Sequence, residues 1–375
     1  MTGTSKIARM DWPLLIITLL LCGVGLLNAY SGTRVHGEVA SVLFKKQVIW
    51  ILIGLVLFFV AYYLGDGYIE EATPTFAAVI LLLLLAVLTA GKIAGGAQRW
   101  ISIGGFNFQP SEFAKIGVIL LLARYYARRY QYGGIEFIDT LPAFGMVLVP
   151  FVLVALQPDL GTAGMFFFIL AGVTVIACVK GRVIALFTIL GSIAVPAMWF
   201  FMKEYQRQRV IIFLDPEKDP LGAGYHVIQS KIAVGSGGIM GKGYMQGTQG
   251  ALRFLPEKHT DFAFAVFAEE WGFIGSALLL FLFALLISRL FILAVRSQDR
   301  FASFAIGGIA IYFITQIVIN LSMVCGLFPV VGIPLPFISY GGSSMLTNML
   351  ALGVAANLSR SRFMLVGMSG RELSY

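Results

Sequence analysis

The segment FLPEKHTDFAFAVFAEEWG, from Phe254 to Gly272, sets Glu257, Lys258, His259, Thr260 and Asp261 immediately ahead of a long apolar run. A carboxylate held where water thins out, with cations beside it, can take a proton from a hydroxyl nucleophile. Asp261 is therefore the candidate general base. Thr260 is expected to cap the following helix. Asp261 then falls in the first turn, where the helix dipole favours its charge and neighbouring apolar surface opposes it. The competing reading of the same residues is a cap with a solvated charge cluster. Farther along the run stand Glu269 and Glu270. Ionised groups at membrane depth cost several kcal/mol and normally face a partner, so either this pair lines a cavity or the helix begins later.

A second constellation, QPSEFAKIG, spans Gln109 to Gly117. Pro110 suits a first helical position, and Glu112 and Lys115, three apart, share one face and can pair. The pair serves either structure or a substrate cavity. Just upstream, AQRWISIGG presents Arg99, whose guanidinium can grip a phosphate in bidentate fashion, and QPDLGT places Asp159 on a short turn. Near the C-terminus, FPVVGIPLPFISYGGSS carries prolines and glycines that no continuous helix tolerates. Broken backbone at membrane depth must be buried in protein or line a water-filled cavity. Ser339, Tyr340 and Ser343 thus line either a cavity or a tight turn.

Other chemistries find no support. GSGGIMGKG resembles a nucleotide-binding P-loop, but Ser236 replaces its first glycine and Gly243 the Ser or Thr after Lys242. Glycine-dense backbone here suits either a phosphate cradle or a flexible connector. His36, His226 and His259 lack metal-ligand spacing, and Cys22, Cys178 and Cys325 read as buried packing thiols. No metal is expected. The net charge of +8 is spread over short loops and forms no basic face, which argues against nucleic acid.

These residues need elements to hold them. Of the 375 residues, 58% are hydrophobic and only 12% charged, against about one quarter in soluble domains. A helix crosses a bilayer with about 20 apolar residues, and ten runs qualify: 12–29, 47–64, 76–90, 110–126, 141–156, 161–179, 183–201, 262–287, 301–323 and 343–358. The reading is an all-α integral membrane protein, one polytopic domain over 1–375, with a long extracytoplasmic loop at about 202–261 between helices 7 and 8. Lys6 and Arg9 precede an uncleaved first helix. Arg128, Arg129, Arg289, Arg296, Arg300 and Arg360 fall on the side of the N-terminus, so both termini are expected in the cytoplasm. The loop is also basic; it either binds an anionic substrate or is translocated regardless of charge. Within it, Val227, Ile228, Lys231 and Ile232 predict a short amphipathic helix on the membrane surface.

Taken in order, GAQRWISIG, FQPSEFAKI, QPDLGTA, YQRQRV, LDPEKDPLGAGYHVIQSKIAVGSGG, GKGYMQGTQ, FLPEKHTDFAFAVFAEE and PLPFISYGGSS resemble the SEDS family (shape, elongation, division and sporulation) over most of the chain. The GTQ ahead of FLPEKHTDF is closer to its elongation branch than to its division branch. The resemblance implies a peptidoglycan glycosyltransferase of the bacterial inner membrane that polymerises lipid II during cell elongation. It further implies Asp261 as the catalytic aspartate, and a class B penicillin-binding protein and other elongation-complex membrane proteins as partners. Arg99, Glu112, Lys115, Asp159, Lys258, Ser339 and Ser343 make up the candidate substrate-binding set, with Arg99 and Lys115 as cations for the departing pyrophosphate. No cofactor is implied; a divalent cation is compatible with this chemistry but not written in the residues. The alternatives are a lipid II flippase, which also needs a charged intramembrane cavity, and a scaffold for the penicillin-binding protein.

Overall fold

A computed structural model describes residues 9–33, 41–94, 97–103, 106–130, 135–177, 181–182, 185, 189, 191–192, 199–202, 204–219, 223–248 and 259–361. Among these, eleven α-helices run in chain order: α1 (Trp12–Thr33), α2 (Val42–Tyr63), α3 (Tyr68–Ala90), α4 (Pro110–Arg129), α5 (Phe137–Leu156), α6 (Leu160–Ile176), α7 (Glu204–Leu214), α8 (Ala223–Ser236), α9 (Ala263–Arg296), α10 (Arg300–Val324) and α11 (Gly342–Leu358). Six of them, α1, α2, α3, α5, α9 and α10, are long and apolar enough to cross a membrane, which makes the chain a polytopic membrane protein. The run at 183–201 falls mostly outside the described residues.

The layout follows from where apolar residues recur. α4 and α10 are buried on nearly every face, as a helix enclosed by others must be. Around them, α1, α2, α3, α5 and α9 turn Ile16, Leu52, Leu82, Val149 and Phe281 outward, the exposure expected of surfaces that meet lipid. α11 lies along α2, and a Cβ on Gly353 would stand 2.5 Å from Phe58 O. Asn357 there donates to the carbonyls of Ala61, Tyr62 and Leu64 at 3.0, 2.9 and 3.1 Å, satisfying the last turn of α2, whose carbonyls have no helical partner.

Arg–Asp pairs mark one end of the bundle. There Arg289 grips Asp11 through two hydrogen bonds of 2.9 and 2.6 Å, Arg360 reaches Asp66 at 3.1 Å, and Arg129 faces Asp139 at 3.6 Å. At the other end lie the start of α4, the start of α9 and the segment between α10 and α11.

Three expectations change. First, the chain is not wholly helical: Lys92–Ala94, Ala97–Ile103 and Phe106–Phe108 form a small antiparallel sheet in the order β1-β2-β3. Apolar and aromatic residues flanking a Gly-Gly pair, Gly104 and Gly105, are the sequence signature of a hairpin. Second, the 202–261 stretch holds α7 in addition to α8, the short helix expected there. On α8 the buried positions are Gly224, Val227, Ser230 and Ala233, while Ile232 is exposed. The helix docks on protein, with Ser230 Oγ donating to Val324 O at 2.8 Å.

Third, α9 is broken at Gly272, whose φ of 64° and ψ of −160° no helical residue adopts. The amides of Phe273 and Ile274 turn away from Glu269 and Glu270 and donate to Gly238 O and Ile239 O at 2.9 and 3.1 Å. The orphaned carbonyls of Glu269 and Glu270 accept instead from the amides of Lys242 and Gly243, both at 3.0 Å. Two helical bonds are thus exchanged for four to the 238–243 turn, and no backbone group is stranded.

Candidate active site

Asp261 stands in the turn that leads into α9. The N-cap is Phe262, without a side-chain cap bond, so neither the Thr260 cap nor the placement of Asp261 in the first helical turn holds. Apolar Phe262, Ala263 and Phe264 are buried directly after the turn, which fixes the helix start later than the polar cluster suggested. Asp261 itself is half-buried, and its Oδ2 lies 3.4 Å from where a Cβ on Gly332 would sit.

Gly332 belongs to the irregular segment between α10 and α11. Tyr340 N donates to His259 O at 2.7 Å, and Asn320, fully buried in α10, donates through Nδ2 to Asp261 O at 3.0 Å and to Ile333 O at 2.8 Å. Two stretches far apart in sequence are therefore stitched face to face around the carboxylate. Ser339 is buried within this segment and its Oγ accepts from Leu335 N at 2.9 Å. Of the two readings left open for Ser339, the geometry favours the tight turn. Burial raises the Tyr340 phenol, against a lowering by the Trp50 indole, so it remains protonated at neutral pH.

About two helical turns deeper, Glu112 and Lys115 meet at 2.7 Å, with side-chain exposures of only 5% and 1%. Lys115 Nζ also stands 5.3 Å from the centre of the Tyr312 ring and 4.0 Å from Met165 Sδ. Tyr312 donates to Asn348 Oδ1 at 2.7 Å. Tyr312 and Asn320 lie eight residues apart on α10, a rise of about 12 Å, so the ion pair and the Asp261 turn occupy two levels of one helix face.

The third group ties the sheet to α6. Arg99 donates to Pro158 O and faces Asp159 Oδ1 at 3.7 Å, its side chain 24% exposed. Asp159 caps α6 by accepting from Thr162 N and takes a further bond from Gln109 Nε2, both at 3.3 Å. Ser343 accepts from Gln109 N at 3.0 Å and donates to Asn107 O at 3.3 Å, locking α4, β3 and α11 together. A Cβ on Gly161 would stand 2.5 Å from Val331 O. Val331 precedes the Gly332 that touches Asp261, so the Arg99–Asp159 pair and Asp261 flank the same short strip of backbone. Lys258 lies outside the described residues.

The profile of the FtsW/RodA/SpoVE cell cycle proteins matches residues 12–363. The chain belongs to this family. The peptidoglycan glycosyltransferase MrdB of Escherichia coli K12 is 41% identical over 364 residues, spanning 95% of each chain, and stage V sporulation protein E of Bacillus subtilis is 36% identical, covering 95% of this chain and 99% of its own. Among solved structures, a chain from a peptidoglycan synthase complex that coordinates polymerization and crosslinking superposes with a TM-score of 0.80 at 32% identity, covering 95% of this chain and 99% of that one. The rod shape determining protein RodA of Thermus thermophilus gives 0.71 at 29%, covering 95% and 98%.

In this FtsW/RodA/SpoVE chain the sequence overlooked two features. Asn320 is a polar residue inside an apolar run, itself a signal of function or of a buried partner. The other is the clasp on Glu269, which accepts from Lys242 Nζ at 2.7 Å, Thr248 N at 2.8 Å and Thr248 Oγ1 at 2.9 Å. Glu270 bonds Ser31 of α1. Both glutamates therefore hold neighbouring segments from the stretch of α9 that precedes the break at Gly272. Cys22 is buried, Cys325 is exposed at the end of α10, contrary to a packing role, and Cys178 lies outside the described residues.

Proposed function

We propose that this chain is a peptidoglycan glycosyltransferase that polymerises lipid II into β-1,4-linked glycan during cell elongation. The observation that carries the reading is the half-buried Asp261, held between the start of α9 and the broken α10–α11 segment at the end of the bundle away from the Arg289–Asp11 and Arg360–Asp66 pairs. With ten spans, the seventh over 183–201, and both termini in the cytoplasm, that end faces outward from the bacterial inner membrane, where an acceptor glycan is available.

In the reaction, Asp261 takes the proton of the acceptor GlcNAc 4-hydroxyl. That oxygen forms a bond to C1 of the donor MurNAc from the face opposite the pyrophosphate, the C1–O bond breaks, and undecaprenyl pyrophosphate departs with its electron pair. The α linkage inverts to β. The developing negative charge on the leaving group needs preorganised cations. Arg99, partly exposed beside Asp159, fits this role, and Lys258 is a second candidate. Lys115 is enclosed by Glu112, Met165 and Tyr312 and supports the site by holding α4 against α6 and α10. A crosslinking class B penicillin-binding protein is the partner suited to this activity.

The test is polymerisation of labelled lipid II by purified protein in detergent, where no two compartments exist for transport. Asp261→Asn keeps the shape and removes the base, and a positioned base contributes about 10²–10⁴-fold. The rate should fall by at least that lower bound; near-normal glycan on the gel would refute the assignment.

A further inference from the structure

Asn320 carries two bonds that a helix residue facing an apolar bundle has no need of. Its side chain is fully buried, and its single amide nitrogen donates to Asp261 O at 3.0 Å and Ile333 O at 2.8 Å. Both protons of that NH2 are spent on backbone acceptors from segments that sequence separates widely. The reverse amide orientation would press Oδ1 against two carbonyl oxygens, so the acceptors dictate the direction. Asn320 Oδ1 is left buried with no hydrogen-bond partner among the described residues.

The two acceptors are the walls of the carboxylate. One bond fixes the residue that bears it, and the other fixes Ile333, next to the Gly332 that lies against Asp261 Oδ2. Asn320 stands on α10, buried almost throughout its length. By contrast, Asp261 sits in a turn and Gly332 in an irregular segment. A rigid element thus supplies the reference frame for two irregular ones.

We infer that Asn320 is a positioning residue for the reaction: its amide sets the separation and orientation of the Asp261 turn relative to the Gly332 wall, and so the reach of the carboxylate toward the acceptor hydroxyl. The inference rests on the base role proposed for Asp261. Misplacing a reacting group by 1 Å can cost about 10²-fold, and because the amide touches no substrate, the loss belongs in turnover and not in binding.

The full-length protein is compared with Asn320→Ala and Asn320→Leu, each first shown to elute as a monodisperse species in detergent. Leucine refills the volume without the donors. Both variants should lose about 10- to 100-fold in kcat with KM for lipid II within about twofold, and hydrogen exchange should quicken in the peptides bearing Asp261 and Ile333. Added to Asp261→Asn, neither change should reduce the residual rate further. Wild-type kcat in Asn320→Leu would show that packing was the role and overturn the inference, as would losses that multiply on the Asp261→Asn background. An active Asp261→Asn is a different failure, since it removes the base role and this inference with it, whereas an inactive Asp261→Asn beside an active Asn320→Ala sinks the inference alone.

Discussion

Removing the amine of Lys115 strands a carboxylate in the middle of the bundle. In Lys115→Met, Glu112, 4% exposed, loses its only cation among the described contacts and keeps one oxygen, Oε2, that already lacks a partner. Breaking one side of such a buried pair costs about 3–5 kcal/mol. The ammonium over the Tyr312 ring adds about 0.5–2 kcal/mol. For a chain of 375 residues, 4 kcal/mol is roughly a 5 °C fall in the unfolding midpoint if entropy scales as in soluble domains. Glu112→Leu should lose a similar amount by leaving Lys115 unpaired. The double variant Glu112→Leu with Lys115→Met removes both charges at nearly constant volume, and replacement of a buried pair by apolar groups is often neutral or stabilising. It should therefore recover to within about 1 kcal/mol of the parent. The measurement is thermal unfolding in detergent followed by size-exclusion of the folded fraction, with lipid II polymerisation alongside. A double variant as unstable as the singles would refute the reasoning, because the two residues would then not act as one unit. A stable double variant without activity would return one of the charges to the substrate.

Two further outcomes follow from close contacts. Asn357→Ala removes a donor from three carbonyls of the last turn of α2 and should destabilise by about 1–3 kcal/mol with little effect on KM; a midpoint shift under one degree in the same thermal assay would contradict it. Gly161→Val drives a side chain into Val331 O and should cut polymerisation at least about tenfold by displacing the strip that walls Asp261. Gly164→Ala, on the same helix with open space around it, is the control expected to behave as the parent.

What the sequence revealed and what it hid divide along contact range. Apolar runs placed helices because their signal is local, and the three-residue spacing of Glu112 and Lys115 put the pair on one face, where it is found at 2.7 Å. Asp261 was legible as a carboxylate before an apolar helix. Its neighbours were not, since Asn320 and Gly332 reach it only through the fold and no periodicity links them. The break in α9 escaped for the same reason: Gly272 departs from the helix because the 238–243 turn offers replacement hydrogen bonds, and that turn lies about thirty residues earlier in the chain. The sheet escaped although the Gly104-Gly105 pair marks a hairpin, because the outer strands Lys92–Ala94 and Phe106–Phe108 have three residues each and are too short to establish an alternation.

The exchange of hydrogen bonds at Gly272 bears on how this chain can be cut and recombined. Amides of the membrane-crossing helix are satisfied by a segment that looks, in a topology diagram, like a dispensable surface excursion. Grafting that excursion from a relative without its matching helix would leave four main-chain groups to find new partners beside lipid. Viable chimeras should therefore carry 238–243 and 269–274 as one inseparable cassette, with crossover points placed well before the first or well beyond the second.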